Sequence, residues 1–363
     1  MARILSYKSK NNLVQSHKKV TMNYPSKRKY QLISDVKLPK YLEIIDSLEA
    51  DIFSITELNI EDVCIKIKEY LKEFSYMEDY FKEVITKALY RRPKEILSLC
   101  NLYYMLFSES SKEIEDILLN SFFNIKKTGK NEGLFKSLSD LRDIFDKDSI
   151  GYFLRYDLIE NIQTKAFEIL KSRESKGISY TNEDVTISTF PLEISNTGLS
   201  SEMIDVAAFF GSIYCFKFLL LNGQKITDNT FSCSIRSGNL ELIKLCKNTV
   251  PSLKVNDLTF AIEYRRNEIA DWILENNEVR IMQPFDDCFK GNTSAFVFAF
   301  DNHPNVVRDF SDLKVIDVNT NYELVKFFNL RDFDIYKYDE SIEKLKEKKK
   351  EDIVSFLIKN RKV

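Results

Sequence analysis

Apolar residues recur every three to four positions along most of this chain, which is the spacing of an amphipathic helix. Such runs predict a first helix that begins near Tyr41 and a fourth that ends near Phe107. Proline disfavours helical geometry at the preceding residue and suits the first position of a helix. We therefore expect the third helix to end before Pro93 and the fourth to begin there. Together these runs predict an N-terminal helical bundle over residues 35–171.

A second pattern begins at Met203, where one unit recurs: a short helical segment, a tight turn and an apolar helix. Matched positions lie 27, 27, 26, 29 and 29 residues apart, at Tyr214, Glu241, Glu268, Ser294, Glu323 and Asp352. A fixed period indicates a solenoid, in which each unit buries its apolar side only against its neighbours. We predict about six units over residues 201–363, the last three degenerate, after an extended connector at residues 172–200.

The turn inside the units is marked by Gly211, Gly238 and Gly291. Glycine accepts a positive φ without strain and commonly ends a helix in that conformation. Arg265 occupies the corresponding position of the third unit. We therefore expect the turn at Arg265 to be strained or differently built.

Leu240–Leu245 and Asn267–Leu274 form the second helix of two units, and small residues stand at Ala207, Ser234 and Ala261 on first helices. At these positions the chain resembles the ankyrin repeat. It lacks the usual Thr-Pro-Leu-His start, and its period is shorter than the usual ~33 residues. The resemblance implies an all-α fold, an N-terminal helical bundle followed by an ankyrin-repeat α-solenoid. The short period implies shortened inter-repeat loops with clipped β-hairpins.

Longer stretches carry a resemblance to one group of ankyrin proteins: Tyr90–Pro93, Asp148–Phe153, Ile204–Ser212 and Cys215–Gly223. Over roughly residues 35–363 the chain is similar to protist ankyrin-repeat proteins, abundant in trichomonads, that have a helical N-terminal domain of unknown function. That family implies a binding module and supplies no catalytic residues.

The residue composition argues against an enzyme. The chain has 363 residues, 9 glycines, 7 prolines and a net charge of −2. The two histidines, His17 and His303, form no zinc-binding spacing, and no glycine-rich phosphate loop is present. We therefore predict no catalytic, cofactor-binding or metal-binding residues and no small-molecule substrate.

The cysteines indicate the compartment of the protein. All six are spread through apolar runs without a CxxC pair, so we expect buried thiols in a reducing environment. We also expect no secretory leader, and no run of 18 apolar residues occurs. These observations predict a cytoplasmic protein, with the nucleus as the alternative.

The first helices of ankyrin repeats line a concave face that is free to vary and to bind. We predict that a protein partner binds this face of a monomeric chain. The two residues before each turn point toward it: Phe209, Phe210, Arg236, Ser237, Glu263, Tyr264, Phe289 and Lys290. A competing interpretation is that Phe209 and Phe210 pack against the preceding connector and cap the stack.

The N-terminus suggests a second function. Residues 1–40 carry ten Lys and Arg against one acidic residue, and residues 1–34 are predicted to form a flexible basic tail. The alternative function is therefore a binder of nucleic acid or of an anionic membrane surface through residues 1–30. Salt-dependent retention on RNA or heparin that requires the tail would favour it.

Overall fold

The regular elements of the protein are helices. The computed structural model describes residues 32–107, 150–165, 202–250, 253–276 and 291–302, with residues 323, 324, 327 and 355. These residues belong to one unit, Gln31–Val363. Within them every regular element is helical and no strand occurs. The predicted all-α class is therefore confirmed.

The four predicted N-terminal helices are present. They are α1 (Lys40–Phe53), α2 (Ile60–Glu73), α3 (Glu78–Arg91) and α4 (Ile96–Leu106). Each has apolar residues on one face, and α1 packs on α2 and α3 while α4 packs on α2 and α3. Pro93 begins a short 3-10 turn, Pro93–Glu95, which leads into α4. The fourth helix therefore starts three residues after the position expected.

The remaining helices form helix–turn–helix units. Unit 1 contains α5 (Ile150–Arg155) and helical residues 159–165. Units 2, 3 and 4 are the pairs α6 (Met203–Phe210) and α7 (Ile213–Leu221), α8 (Asp228–Ser237) and α9 (Leu240–Lys247), and α10 (Val255–Glu263) and α11 (Asn267–Asn276). Of unit 5, the structure describes the turn and α12 (Thr293–Asn302). Most of the predicted last two units lies outside the described residues.

The turn of each of these five described units contains a residue in the left-handed conformation. These residues are Asp157 (φ 57°), Gly211 (71°), Gly238 (80°), Arg265 (52°) and Gly291 (78°). A left-handed conformation costs a non-glycine residue about 1–2 kcal/mol. The expectation of strain at Arg265 is therefore confirmed, and its turn has the same conformation as the glycine turns.

Consecutive units are joined by a hydrogen bond that recurs at each turn. The side chain after the left-handed residue donates to a backbone carbonyl of the preceding unit. The pairs are Ser212 Oγ to Leu154, Asn239 Nδ2 to Gly211 (3.1 Å), Arg266 Nη2 to Ser237 (2.7 Å) and Asn292 Nδ2 to Ile262 (2.9 Å). Unit 1 is thus linked to unit 2 as the later units are linked to one another.

The connection between units 2 and 3 lacks the expected clipped β-hairpin. Residues 222–227 join α7 to α8 and contain no strand. Six residues are too few for two paired strands and a turn, because strands are usually 3–10 residues long each. At this connection the expectation of a hairpin is wrong.

The N-terminal helices pack against the units through a buried ionic network. The Arg265 guanidinium lies 2.8 Å from Asp46 Oδ1 and 2.9 Å from Glu49 Oε2, both on α1. Glu49 is fully buried and accepts hydrogen bonds from the backbone N–H and the hydroxyl of Thr293, at the start of α12. It also accepts one from the Tyr80 hydroxyl. Burial raises the pKa of Glu49, and nearby Arg265 opposes this rise.

Two further contacts hold the N-terminal segment in place. Gly291 faces α1 and α3 so closely that a Cβ there would lie 3.0 Å from the Phe53 ring. Asp271 of α11 accepts hydrogen bonds from the backbone N–H groups of Ile33 (2.6 Å) and Ser34 (3.1 Å). The start of the described chain is therefore fixed to the fourth unit.

Units 2 and 3 share a buried carboxyl group. Asp205 on α6 accepts hydrogen bonds from Thr230 Oγ1 (2.5 Å) and Asn229 Nδ2 (2.6 Å). Burial nevertheless raises the pKa of Asp205 to about 6, since these hydrogen bonds only partly offset the loss of water.

Replacing Arg265 by glycine tests the ionic network. Arg265→Gly relieves the backbone strain but leaves Glu49 buried without its cation, so we expect a loss of about 3 kcal/mol in the free energy of unfolding. In the double variant Arg265→Gly/Glu49→Gln the loss should be smaller than the sum of the two single losses, as measured by urea denaturation.

The matched control is the exposed ion pair between Lys217 and Glu241, which joins units 2 and 3 at 2.6 Å. Lys217→Ala should cost less than about 1 kcal/mol, because solvent screens an exposed pair. Equal losses for Arg265→Gly and Lys217→Ala would contradict the assigned role of Arg265.

The raised pKa of Asp205 predicts a dependence of stability on pH. Its contribution to stability is fully present below pH 4 and is lost as the pH rises through about 6, because only the folded state buries the charge. Relative to wild type, Asp205→Asn should therefore gain about 2–3 kcal/mol in unfolding free energy between pH 4 and pH 7. A difference that stays constant across this range in urea titrations would contradict the assignment.

Candidate functional site

A cavity of about 280 Å³ lies between the N-terminal helices and the first helices of units 2, 3 and 4, and it is partly open to solvent. The end of α3 and the following 3-10 turn supply Arg91, Arg92, Lys94 and Glu95 to its wall. Ligand pockets in proteins commonly occupy roughly 300–1,000 Å³, so this cavity suits a small group.

The inner helices supply the opposite wall of the cavity, which is aromatic and basic. The Phe209 and Phe210 rings meet edge to face, with centroids 5.4 Å apart, and the Phe209 ring also meets the Tyr264 ring edge to face. Arg236 and Arg266 add two guanidinium groups. The cavity is therefore lined by five cationic side chains and by one carboxylate, that of Glu95.

Arg91 of the N-terminal wall forms an ion pair with a carboxylate of the opposite side. Its Nη2 lies 3.5 Å from Glu263 Oε2, and its guanidinium lies 5.2 Å from the Tyr264 ring centroid. The pair joins α3 to α10. The Glu263 carboxylate of the fourth unit therefore balances part of the positive charge on the N-terminal side of the cavity.

Arg236 is the most deeply buried cation of the cavity, with 2% of its surface exposed. Its guanidinium carbon lies 3.8 Å from the centroid of the Phe260 ring, a stacking contact that fixes the plane of the group. Among the described residues, none supplies a hydrogen-bond acceptor to its three side-chain nitrogens. Because a buried donor without a partner is costly, the environment of Arg236 is incomplete without a further group.

Arg266 is held against the backbone of the preceding turn. It donates to the carbonyl oxygen of Ser237 at 2.7 Å and to that of Arg236 at 3.4 Å. A Cβ on Gly238 would lie only 2.6 Å from Arg266 Nε, so glycine is required for this close approach. Burial, and then repulsion from Arg92, lowers the pKa of Arg266 to about 9.

The chemistry of the cavity is that of anion binding. Guanidinium groups donate pairs of parallel hydrogen bonds to carboxylate and phosphate oxygens.

Cysteine thiols do not contribute a nucleophile, because the five in the described residues are buried and line other parts of the core. Burial raises the pKa of Cys100, Cys215, Cys233 and Cys246 to about 12. The expected burial of the thiols is confirmed for these five, and Cys288 lies outside the described residues.

Neither a metal site nor a membrane-spanning helix is found in the described part of the chain. There, no group of three or more His, Cys, Asp or Glu side chains has an arrangement that could hold a metal ion. Nor does any helix in those ranges combine the length and apolar character needed to cross a membrane. His17 and His303 lie outside the described residues.

The structure brings most of the predicted partner-binding residues together. Phe209, Phe210, Arg236, Ser237 and Tyr264 line the cavity. Glu263 lies beside it through its ion pair with Arg91, whereas Phe289 and Lys290 are outside the described residues. The four large side chains Phe209, Phe210, Arg236 and Tyr264 are buried rather than exposed. Their role in partner binding stays a prediction.

Four cationic residues of the cavity were not among the predicted site residues: Arg91, Arg92, Lys94 and Arg266. Three of them form a basic cluster around Pro93, of which only Arg91 and Arg92 belong to a stretch that resembles the protist group. Arg91, Arg92 and Lys94 are more than 100 residues before the inner helices in the sequence, so no local pattern indicates that they share a site with them. The connector that Phe209 and Phe210 were alternatively expected to contact lies outside the described residues, as do residues 1–31 of the predicted basic tail.

Comparisons with protein-family models, with curated proteins and with solved structures found no match to this chain. The resemblance to ankyrin-repeat proteins therefore depends on the quoted residues and on the helix–turn–helix geometry.

Replacing the unpartnered arginine should stabilise the protein in the absence of an anion. Arg236→Met keeps the length and apolar stem of the side chain and removes a buried charge. We expect the free energy of unfolding to rise by about 1–2 kcal/mol, since the lost stacking on Phe260 offsets part of the gain.

Arg266→Met is the matched control for this substitution. It should lower the free energy of unfolding, because two carbonyl oxygens lose their donor. Both variants are measured by chemical denaturation in a buffer that contains chloride as its sole anion. A destabilised Arg236→Met protein would contradict the assignment of Arg236 as an incompletely satisfied cation.

Proposed function

We propose that this chain is a non-enzymatic protein-interaction scaffold, an ankyrin-like solenoid whose concave side is partly covered by its own N-terminal helical bundle. The recurring left-handed turn and the recurring hydrogen bond between units support the solenoid arrangement. The five free thiols support a reducing compartment, for which we retain the cytoplasm.

The observation that carries the proposal is the cationic cavity on the inner-helix side. Binding energy at protein interfaces concentrates in buried aromatic and arginine side chains, the residue types that line this cavity. Because residues of α3 and the Pro93 turn lie opposite the inner helices across the cavity, the partner enters at the cavity rather than along the whole face. A partner with an acidic segment fits this surface, since opposite charges attract and orient it.

Lys94 marks the mouth of the cavity, since it is an exposed cation in its wall. The full chain with a photo-reactive benzoylphenylalanine at position 94 should cross-link to a partner in cells. The same probe at Lys244, an exposed residue of α9 on a second helix, is the matched control and should cross-link that partner much less. Cross-linked products are identified by mass spectrometry.

Charge reversal then tests whether the same surface determines affinity. Lys94→Glu should weaken capture of the cross-linked partner about tenfold or more, whereas Lys244→Glu should leave it unchanged. Equal capture by the two variants, or equal cross-linking from the two positions, would contradict a partner site at the cavity.

A further inference from the structure

The positive charge of the cavity exceeds the negative charge near it. Five cationic side chains line the wall, and the carboxylates in the wall or near it are those of Glu95, Glu263 and Asp157, the last acting on Lys94. The five cationic side chains of the wall therefore outnumber the three carboxylates near it. Water is partly excluded here, and a concentration of like charge in such a place favours the entry of a counter-ion.

Arg236 supplies a second and independent observation. Its guanidinium is 2% exposed, is stacked on Phe260 and has no hydrogen-bond acceptor among the described residues. Stacking occupies the face of the planar group and leaves its N–H edge for a ligand in the cavity. The Arg236 guanidinium is therefore held in a fixed orientation before any ligand binds, which lowers the entropic cost of binding.

We propose that this cavity binds a phosphate group in its dianionic form, either as free phosphate or as a phosphate monoester. A dianion balances more of the excess charge than a carboxylate does, and its three terminal oxygens accept hydrogen bonds from more than one donor. Arg236 donates from the inner wall, and Arg92 and Lys94 provide charge from the N-terminal wall.

The volume of the cavity agrees with a ligand of this size. One water molecule occupies about 30 Å³ in the liquid, so a cavity of about 280 Å³ accommodates a phosphate together with some of its hydration. Because the cavity is partly open, the ester oxygen of a monoester has a path to solvent. The lowered pKa of Arg266 agrees with a region that lacks negative charge, since burial and the neighbouring Arg92 both disfavour its charged form.

This inference goes beyond the proposed function, because phosphate binding requires no protein partner. The test is an isothermal titration of the full chain with inorganic phosphate at pH 7.5, with sodium chloride adjusted to constant ionic strength. We expect one saturable site. A parallel titration with O-phosphoserine tests the monoester, and tighter binding of O-phosphoserine than of inorganic phosphate would assign the ester as the preferred form.

Three variants locate the site. Arg236→Met should weaken phosphate binding by about tenfold to a hundredfold, and Lys94→Gln by about tenfold, because each removes a charge-assisted contact. Lys244→Gln removes an exposed charge elsewhere and should bind phosphate as the wild type does.

Two results would overturn the proposal. One is the absence of saturable heat from either phosphate compound with the wild-type chain. The other is unchanged affinity in both Arg236→Met and Lys94→Gln, and if Arg236→Met does not fold, Lys94→Gln against Lys244→Gln decides. Phosphate binding without a cross-linked partner would refute the scaffold alone, whereas a partner without phosphate binding would refute the phosphate site alone.

Discussion

The ion pairs of Arg265 with Asp46 and Glu49 are the contact on which the rest of the arrangement depends. They join a turn of the fourth unit to α1, and Glu49 continues the connection to the first residue of α12. With α1 fixed at this end of the stack, α3 and the turn at Pro93 lie over the inner helices. The cationic cavity lies between these two walls.

The two consecutive arginines of the fourth unit serve opposite sides of its turn. Arg265 reaches the carboxylates of α1, whereas Arg266 lies against Gly238 and lines the cavity. Glycine at position 265 would remove the backbone strain but would also remove the anchor. Strain retained at one position of a regular pattern often marks a functional position, and here it lies next to the cavity.

Local structure was predictable from the sequence, because helical periodicity and turn residues act over a few positions. The four N-terminal helices, the turns at Gly211 and Gly238, and the strain at Arg265 all follow from such patterns. Unit 1 was not identified as a unit, since 54 residues separate Asp157 from Gly211 and hide the period. The left-handed residue of unit 1 is Asp157, so this unit lacks the glycine that marks most of the other turns.

Half of the candidate site could not be predicted, because it forms through contacts between distant parts of the chain. Glu49 and Thr293 are separated by 244 positions, and no local pattern reports such a contact. Phe209, Arg236 and Tyr264, which were predicted to lie on one side of the stack, line one cavity. Their burial, and the residues of α3 and the Pro93 turn that line the cavity opposite them, could not be read from the sequence.

A crystal structure of the full chain, grown without phosphate, tests most directly whether the N-terminal helices cover the inner face. We expect the Arg265 guanidinium within hydrogen-bonding distance of both Asp46 and Glu49, with Phe209 and Tyr264 shielded from solvent. A structure in which α1–α4 lie away from the units and Phe209 and Tyr264 face open solvent would contradict this expectation.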